Sequence, residues 1–256
     1  MEKSKEVWNT AGDLTAYPGI AIIHSKIVAY RIPVSRMGES TIFTGFSPET
    51  IDFLWGIRFN NNKPWFESQK QIYVNQLYEP MKQLAREVSE PFQEDSGTLC
   101  KVSRIYRDAR LRHAGGPYKE TLWFCLRRDD RYWNELPCLF FEIGPEHYSY
   151  GFLLWSPKAD TMEAFRKRLE AHPAEFLKIV QKIETETEVR VSGREYYRKK
   201  PCPDDALLPY YQFKNILAYV EKPIDDALFS PQLAEMVRKN FTALWPLYRY
   251  CLHLTD

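Results

Sequence analysis

The order of hydrophobic periods along the chain predicts an α+β fold: an antiparallel β-meander of about four or more strands packed with N- and C-terminal helical blocks. Apolar residues recur at steps of three and four up to Val88, at steps of two between Lys101 and Ser156, and at steps of three and four again afterwards. The connections between the period-two segments are short. That favours antiparallel pairing, because parallel strands need long crossovers. With 256 residues, 44% of them hydrophobic and 15% aromatic, the chain is long enough for one large core.

The elements follow in order. Residues 1–42 read as an N-terminal extension: Pro18, Gly19, Pro33 and Gly38 surround the one strand-like run, Ile27 to Tyr30. A single α+β domain is expected over 43–254. Ser47-Pro48-Glu49 opens a helix, with a capping side chain, a proline at a position that needs no amide, and a negative charge near the positive helix end. Ile51, Leu54 and Trp55 continue it at helical spacing. A longer helix starts at Pro64, and Pro80 inside its apolar stripe predicts a kink rather than a stop. Strands are expected near 102–109, 121–127, 138–143 and 148–155, divided by turn residues such as Gly115-Gly116-Pro117 and Gly144-Pro145. Helices return through Phe165, Phe176 and Val237, and Ser230-Pro231 opens the last one.

Several function classes lack their signals. The formal net charge of +1 gives no global field for nonspecific nucleic-acid or membrane binding, so nucleic acid is an unlikely partner. The longest apolar runs, such as Phe152 to Trp155, fall far short of the ~20 residues of a membrane helix. The five cysteines form no C-x-x-C pair and no histidine lies at metal-ligand spacing from them. Free thiols in a reducing compartment, hence the cytoplasm, are expected, with no metal and no cofactor. No phosphate-binding glycine loop, hydrolase elbow or zinc-protease motif is present.

The most unusual stretch runs from Lys101 to Lys119. It holds Lys101, Arg104, Arg107, Arg110, Arg112 and Lys119 against the single acid Asp108. Read as a strand, Arg104, Tyr106, Asp108 and Arg110 share one face; Ile105 and Ala109 draw Arg107 toward the core. A buried guanidinium keeps its charge and needs a carboxylate or carbonyl partner. Two readings stand. In one, the arginines grip a phosphate or carboxylate and Asp108 orients one of them or serves as a base, which would make the site catalytic. In the other, the segment is a salt-bridge lattice on a solvated sheet. Gly115 to Lys119 is either a plain hairpin connection or a loop that brings Tyr118 and Lys119 to a ligand. In Asn60-Asn61-Asn62, one asparagine caps a helix, and Asn62 with the positive helix end either serves only that or also faces an anion. Glu142, Glu146 and His147 read as a chance cluster. Arg194, Tyr196, Tyr197, Arg198, Lys199 and Lys200 mix bases and aromatics as a nucleic-acid surface does, although neighbouring glutamates dilute that field.

An ordered set of segments resembles one family. It comprises Phe43-Thr44-Gly45-Phe46, Asn61-Asn62 with Trp65-Phe66, Lys70, Tyr73 and Pro80, then Arg104-Ile105-Tyr106-Arg107-Asp108-Ala109-Arg110 and Pro117-Tyr118-Lys119. These are similar to the proteins grouped as domain of unknown function 2461 (DUF2461), found in bacteria and fungi. The resemblance implies a domain from Phe43 almost to the end and a cytoplasmic setting; it implies no activity. Two departures stand out: Leu111 where the family usually has Phe, and Arg112-His113-Ala114-Gly115 where it has a short Ser/Lys/Asp/Lys run. The functional expectation is therefore an anionic small-molecule site built from Arg104, Arg107, Asp108, Arg110, Tyr118 and Lys119, with Asn62 nearby. Its rival is a noncatalytic module that meets an acidic protein or nucleic acid through a basic strand.

Overall fold

The computed structural model describes residues 30–31, 42–92, 97–108, 115–130 and 132–254. The chain is α+β with a meander sheet. Five full strands, Thr98–Val102 (β2), Leu122–Arg128 (β3), Cys138–Ile143 (β4), His147–Leu154 (β5) and Ile216–Pro223 (β6), lie side by side in chain order, every pair antiparallel. A two-residue strand, Tyr30–Arg31 (β1), pairs with the β2 edge. It is all that is described of the expected 1–42 extension apart from Ile42.

The helices are Pro48–Phe59 (α1), Lys63–Ile72 (α2), Glu79–Ser89 (α3), Ala159–Ala171 (α4), Pro173–Glu186 (α5), Leu208–Tyr211 (α6) and Gln232–Leu252 (α7). Their apolar faces meet one face of the sheet. Phe124, Phe141 and Phe152 from that face join Leu84, Phe165 and Phe241 in one continuous core. The alternate residues of the same strands form a second cluster: Trp123, Cys125, Cys138, Phe140, Leu153 and Leu217, with Trp155 just beyond β5. No helical residue belongs to it among the described residues. Both faces of β3, β4 and β5 are therefore apolar and buried, so a polar side chain on the second face stands out.

One sequence expectation changes, one strand had not been expected, and the break expected at Pro80 acquires a specific form. The strand expected over 102–109 ends at Val102. Beyond it, among the described residues, Tyr106 bridges Tyr118 in a narrow antiparallel ribbon. The segment of β6 was missed although Ile216 to Val220 is a short apolar run. At Pro80 the helix passes through a π-helical stretch, Tyr73–Tyr78, before α3 begins. Proline cannot donate to the carbonyl four residues back, Gln76. The Thr50 hydroxyl of α1 donates to that carbonyl instead, so the break is sealed from the neighbouring helix. Ser230-Pro231 does open α7, but one residue further out than expected: Pro231 is the cap, and the Ser230 hydroxyl oxygen accepts the Gln232 amide at 3.1 Å.

Candidate functional site

The ribbon after β2 is held from outside the sheet. Arg107 N–H donates to the Pro117 carbonyl and Lys119 N–H to the Ile105 carbonyl, each at 2.8 Å. Asn61, between α1 and α2, clamps the middle residue: its Nδ2 donates to the Tyr118 carbonyl and its Oδ1 accepts the Tyr118 amide, both at 2.9 Å. The Tyr118 ring stacks on Phe66 of α2 with centroids 4.1 Å apart. Gly116 makes the close approach possible. It sits at φ +85°, and a β-carbon there would fall 2.5 Å from the Asn61 carbonyl oxygen. Gly116→Ala is therefore expected to destabilise the fold by about 2 kcal/mol or more, read as a lower urea midpoint at unchanged slope.

This clamp sets where Lys119 points. Lys119, Thr121 and Trp123 alternate onto the second sheet face, and Trp123, Glu142, Ser149 and Glu221 stand directly opposite one another on successive strands β3 to β6. The Lys119 side chain is only 1% exposed, and its Nζ makes no hydrogen bond. It lies 5.5 Å from the Trp123 ring centroid. Glu142, 7% exposed, accepts a 3.2 Å hydrogen bond from the Thr121 hydroxyl. Lys119 and Glu142 form no ion pair, although each feels the other's charge. Ser149 Oγ, one strand further, is buried and also lacks a hydrogen-bond partner.

Burial dominates the electrostatics of both groups. It pushes the Lys119 ammonium down to about 8; Glu142 pulls the other way, and Arg104 and Arg107 repel the ammonium further. Burial likewise pushes the Glu142 carboxyl up to about 8, against the Thr121 hydrogen bond and the Lys119 charge. The pair thus consists of a weakened ammonium and a carboxyl that holds its proton near neutrality. Such a pair can take up or release a proton and can meet an anion with two donors.

Of the residues singled out in the sequence, Arg104, Arg107 and Lys119 share one electrostatic neighbourhood. Arg104 is exposed, and half-buried Arg107 donates from Nε to the Tyr118 carbonyl at 2.6 Å. Tyr118 contributes its backbone and its stacked ring to positioning. Asn62 caps α2 by accepting the Trp65 amide at 3.0 Å. Asp108 is half-buried at the ribbon's end. Arg110 lies outside the described residues, as do Leu111, Arg112, His113 and Ala114. Lys101 is drawn away to Asp129 at 2.7 Å. The cluster read from Glu142, Glu146 and His147 splits: Glu146 pairs with Arg58 at 2.9 Å, and His147 lies 3.8 Å from Glu221.

Sequence reasoning missed Thr121 and Ser149 and set Glu142 aside as part of a chance cluster. The available signal was a lone carboxylate inside Cys138-Leu139-Phe140-Phe141-Glu142-Ile143, a strand apolar on both sides. Among the described residues no group of three or more His, Cys, Asp or Glu could hold a metal ion, and no helix is long and apolar enough to cross a membrane. A search of curated proteins finds no match to the chain. The model of one family, described as a conserved hypothetical protein, matches residues 49–250, which include the Asn61 clamp, the ribbon, Lys119 and Glu142. The chain belongs to the DUF2461 family.

Proposed function

We propose that this protein binds a small carboxylate- or phosphate-bearing molecule at Lys119, with the Lys119–Glu142 pair able to carry a proton to or from it. One observation supports this reading above all: an almost fully buried ammonium without a hydrogen bond, which feels Glu142 without an ion pair and is repelled by two guanidinium groups. A buried cation of that kind is costly unless paired. A bound anion would offset that cost. In this reading Arg104 and Arg107 supply the surrounding field, Glu142 donates its proton, and Ser149 offers a further hydrogen bond. Asp108, on the same ribbon, remains the candidate base from the arginine side. The rival reading, a basic surface for nucleic acid or an acidic protein, is weakened because Lys119 is buried and Lys101 is paired with Asp129. The cysteines, unpaired in the structure, support the cytoplasmic setting expected from the sequence.

The test is a titration of acetate, citrate and inorganic phosphate, followed by the NMR signal of the labelled Lys119 side chain and assigned with Lys119→Arg. A saturable shift, with the Lys119 titration moving up from about 8 as the anion binds, is expected. A Lys119 signal that titrates identically with and without all three anions would refute the reading.

A further inference from the structure

A second group of cations stands apart from the Lys119 ribbon, around Tyr196 in the connection between α5 and β6. Arg166 reaches it from the buried side of α4, its guanidinium carbon 5.5 Å from the Tyr196 ring centroid. Lys200 Nζ lies 4.9 Å and Lys214 Nζ 5.4 Å from the same centroid. Arg166 is 7% exposed and its Nη1 is buried without a hydrogen bond. None of the three cations forms an ion pair among the described residues.

Backbone hydrogen bonds, not counter-charges, hold the group together. The buried Gln212 side chain grips the Lys200 backbone twice, accepting its amide and donating to its carbonyl, both at 2.9 Å. The Gln212 carbonyl accepts the Tyr196 amide at 3.0 Å, and Lys214 N–H donates to the Arg194 carbonyl at 2.6 Å. The nearby acids are already engaged: Glu163 with Lys167 at 2.9 Å, Glu195 with Lys199, and Glu170 with the Tyr211 hydroxyl. Glu163 feels the Arg166 and Lys200 charges, yet Lys167 dominates its environment. Three like charges thus stand around one ring, the two lysines rooted in backbone that this framework pins.

We propose that Arg166, Lys200 and Lys214 form a second binding site, for the phosphate group of a small phosphorylated molecule. Three cations match a phosphate dianion better than a singly charged carboxylate. The combination of a planar guanidinium fork with two mobile ammonium groups suits tetrahedral oxygens. The site is independent of the function proposed for Lys119, and the Lys119→Met background isolates it.

The full chain carrying Lys119→Met is titrated with inorganic phosphate by calorimetry at low salt, beside the same chain carrying Lys200→Ala and Lys214→Ala as well. Both lysines are at least partly exposed, so the fold should survive, which an unchanged unfolding midpoint checks. One phosphate per chain is expected in the Lys119→Met protein, with affinity falling by about tenfold or more when the two lysines are removed. Equal binding by the two proteins overturns the proposal. So does an absence of phosphate binding in Lys119→Met, including the case where an oligothymidylate binds in its place.

Discussion

Replacing Lys119 by methionine is expected to stabilise the ligand-free protein, by about 1–3 kcal/mol near neutral pH. Most buried-residue substitutions destabilise, so the sign itself is informative. Lys119 is 1% exposed and lacks a hydrogen bond. Holding its ammonium at about 8 rather than 10.5 corresponds to roughly 3 kcal/mol of folding free energy forfeited below pH 8. Methionine fills a similar volume, keeps contact with the Trp123 ring and carries no charge. The Glu142 carboxyl left behind stays protonated and keeps its hydrogen bond from Thr121. A fold that gains stability when this lysine is removed retains it for something other than stability. A loss of 2 kcal/mol or more would instead mean that Lys119 is a structural element of the sheet.

The pH profile carries the same argument. Between 4.5 and about 8 the folded state keeps a proton on Glu142 that the unfolded chain has released, so this group makes stability fall as pH rises. Between about 8 and 10.5 the folded state has shed a proton from Lys119 that the unfolded chain retains, so stability rises with pH. Together they place a shallow minimum near pH 8. Buried cysteines and tyrosines titrate in the alkaline range too, so the measurement is the difference in urea stability between wild type and Lys119→Met. That difference is expected to shrink steadily above pH 8. A difference independent of pH from 7 to 10 would mean that Lys119 titrates as an ordinary solvated lysine.

The fold was largely legible because its signals are local. Cys138–Ile143 appears where the sequence placed it, and the Ser-Pro openings mark the starts of α1 and α7. The segment after Val102 was misjudged for a physical reason. Ile105 and Arg107 do alternate with their neighbours, but alternation reports an extended chain, not how many residues it pairs with. Here the pairing is a single bridge, and the rest of the ribbon is fixed by Asn61 and Phe66, distant in sequence. The site was half legible for a related reason. Positive charge accumulates along the chain near Lys119 and can be counted. The carboxyl that shares its environment comes from the next strand, and only the register that sets Trp123 against Glu142 brings them together. Once an element is known to be buried on both faces, its lone ionisable residue is the place to look, and Glu142 satisfied that condition in the bare sequence.

Removing Asn61 and Arg107 separately and together tests whether the ribbon is a positioned device or a loop that happens to fold back. Both side chains donate to one acceptor, the Tyr118 carbonyl, at 2.9 and 2.6 Å. Asn61 alone also accepts the Tyr118 amide, and Tyr118 is 2% exposed. Arg107→Ala leaves the carbonyl one donor and is expected to cost about 1–2 kcal/mol, less than an orphaned buried carboxylate would. Asn61→Ala leaves the amide bare and is expected to cost about 2–4 kcal/mol. In the double variant the carbonyl loses both donors. The combined cost should therefore exceed the sum of the singles by about 1 kcal/mol or more in a double-mutant cycle. The same cycle run on anion binding separates structure from function: Asn61→Ala should weaken the Lys119 response although Asn61 is not assigned any ligand contact, because the clamp sets the direction of the ammonium. Additive stability losses, or unaltered binding in Asn61→Ala, would mean that Lys119 is held by its own strand and that the ribbon is incidental.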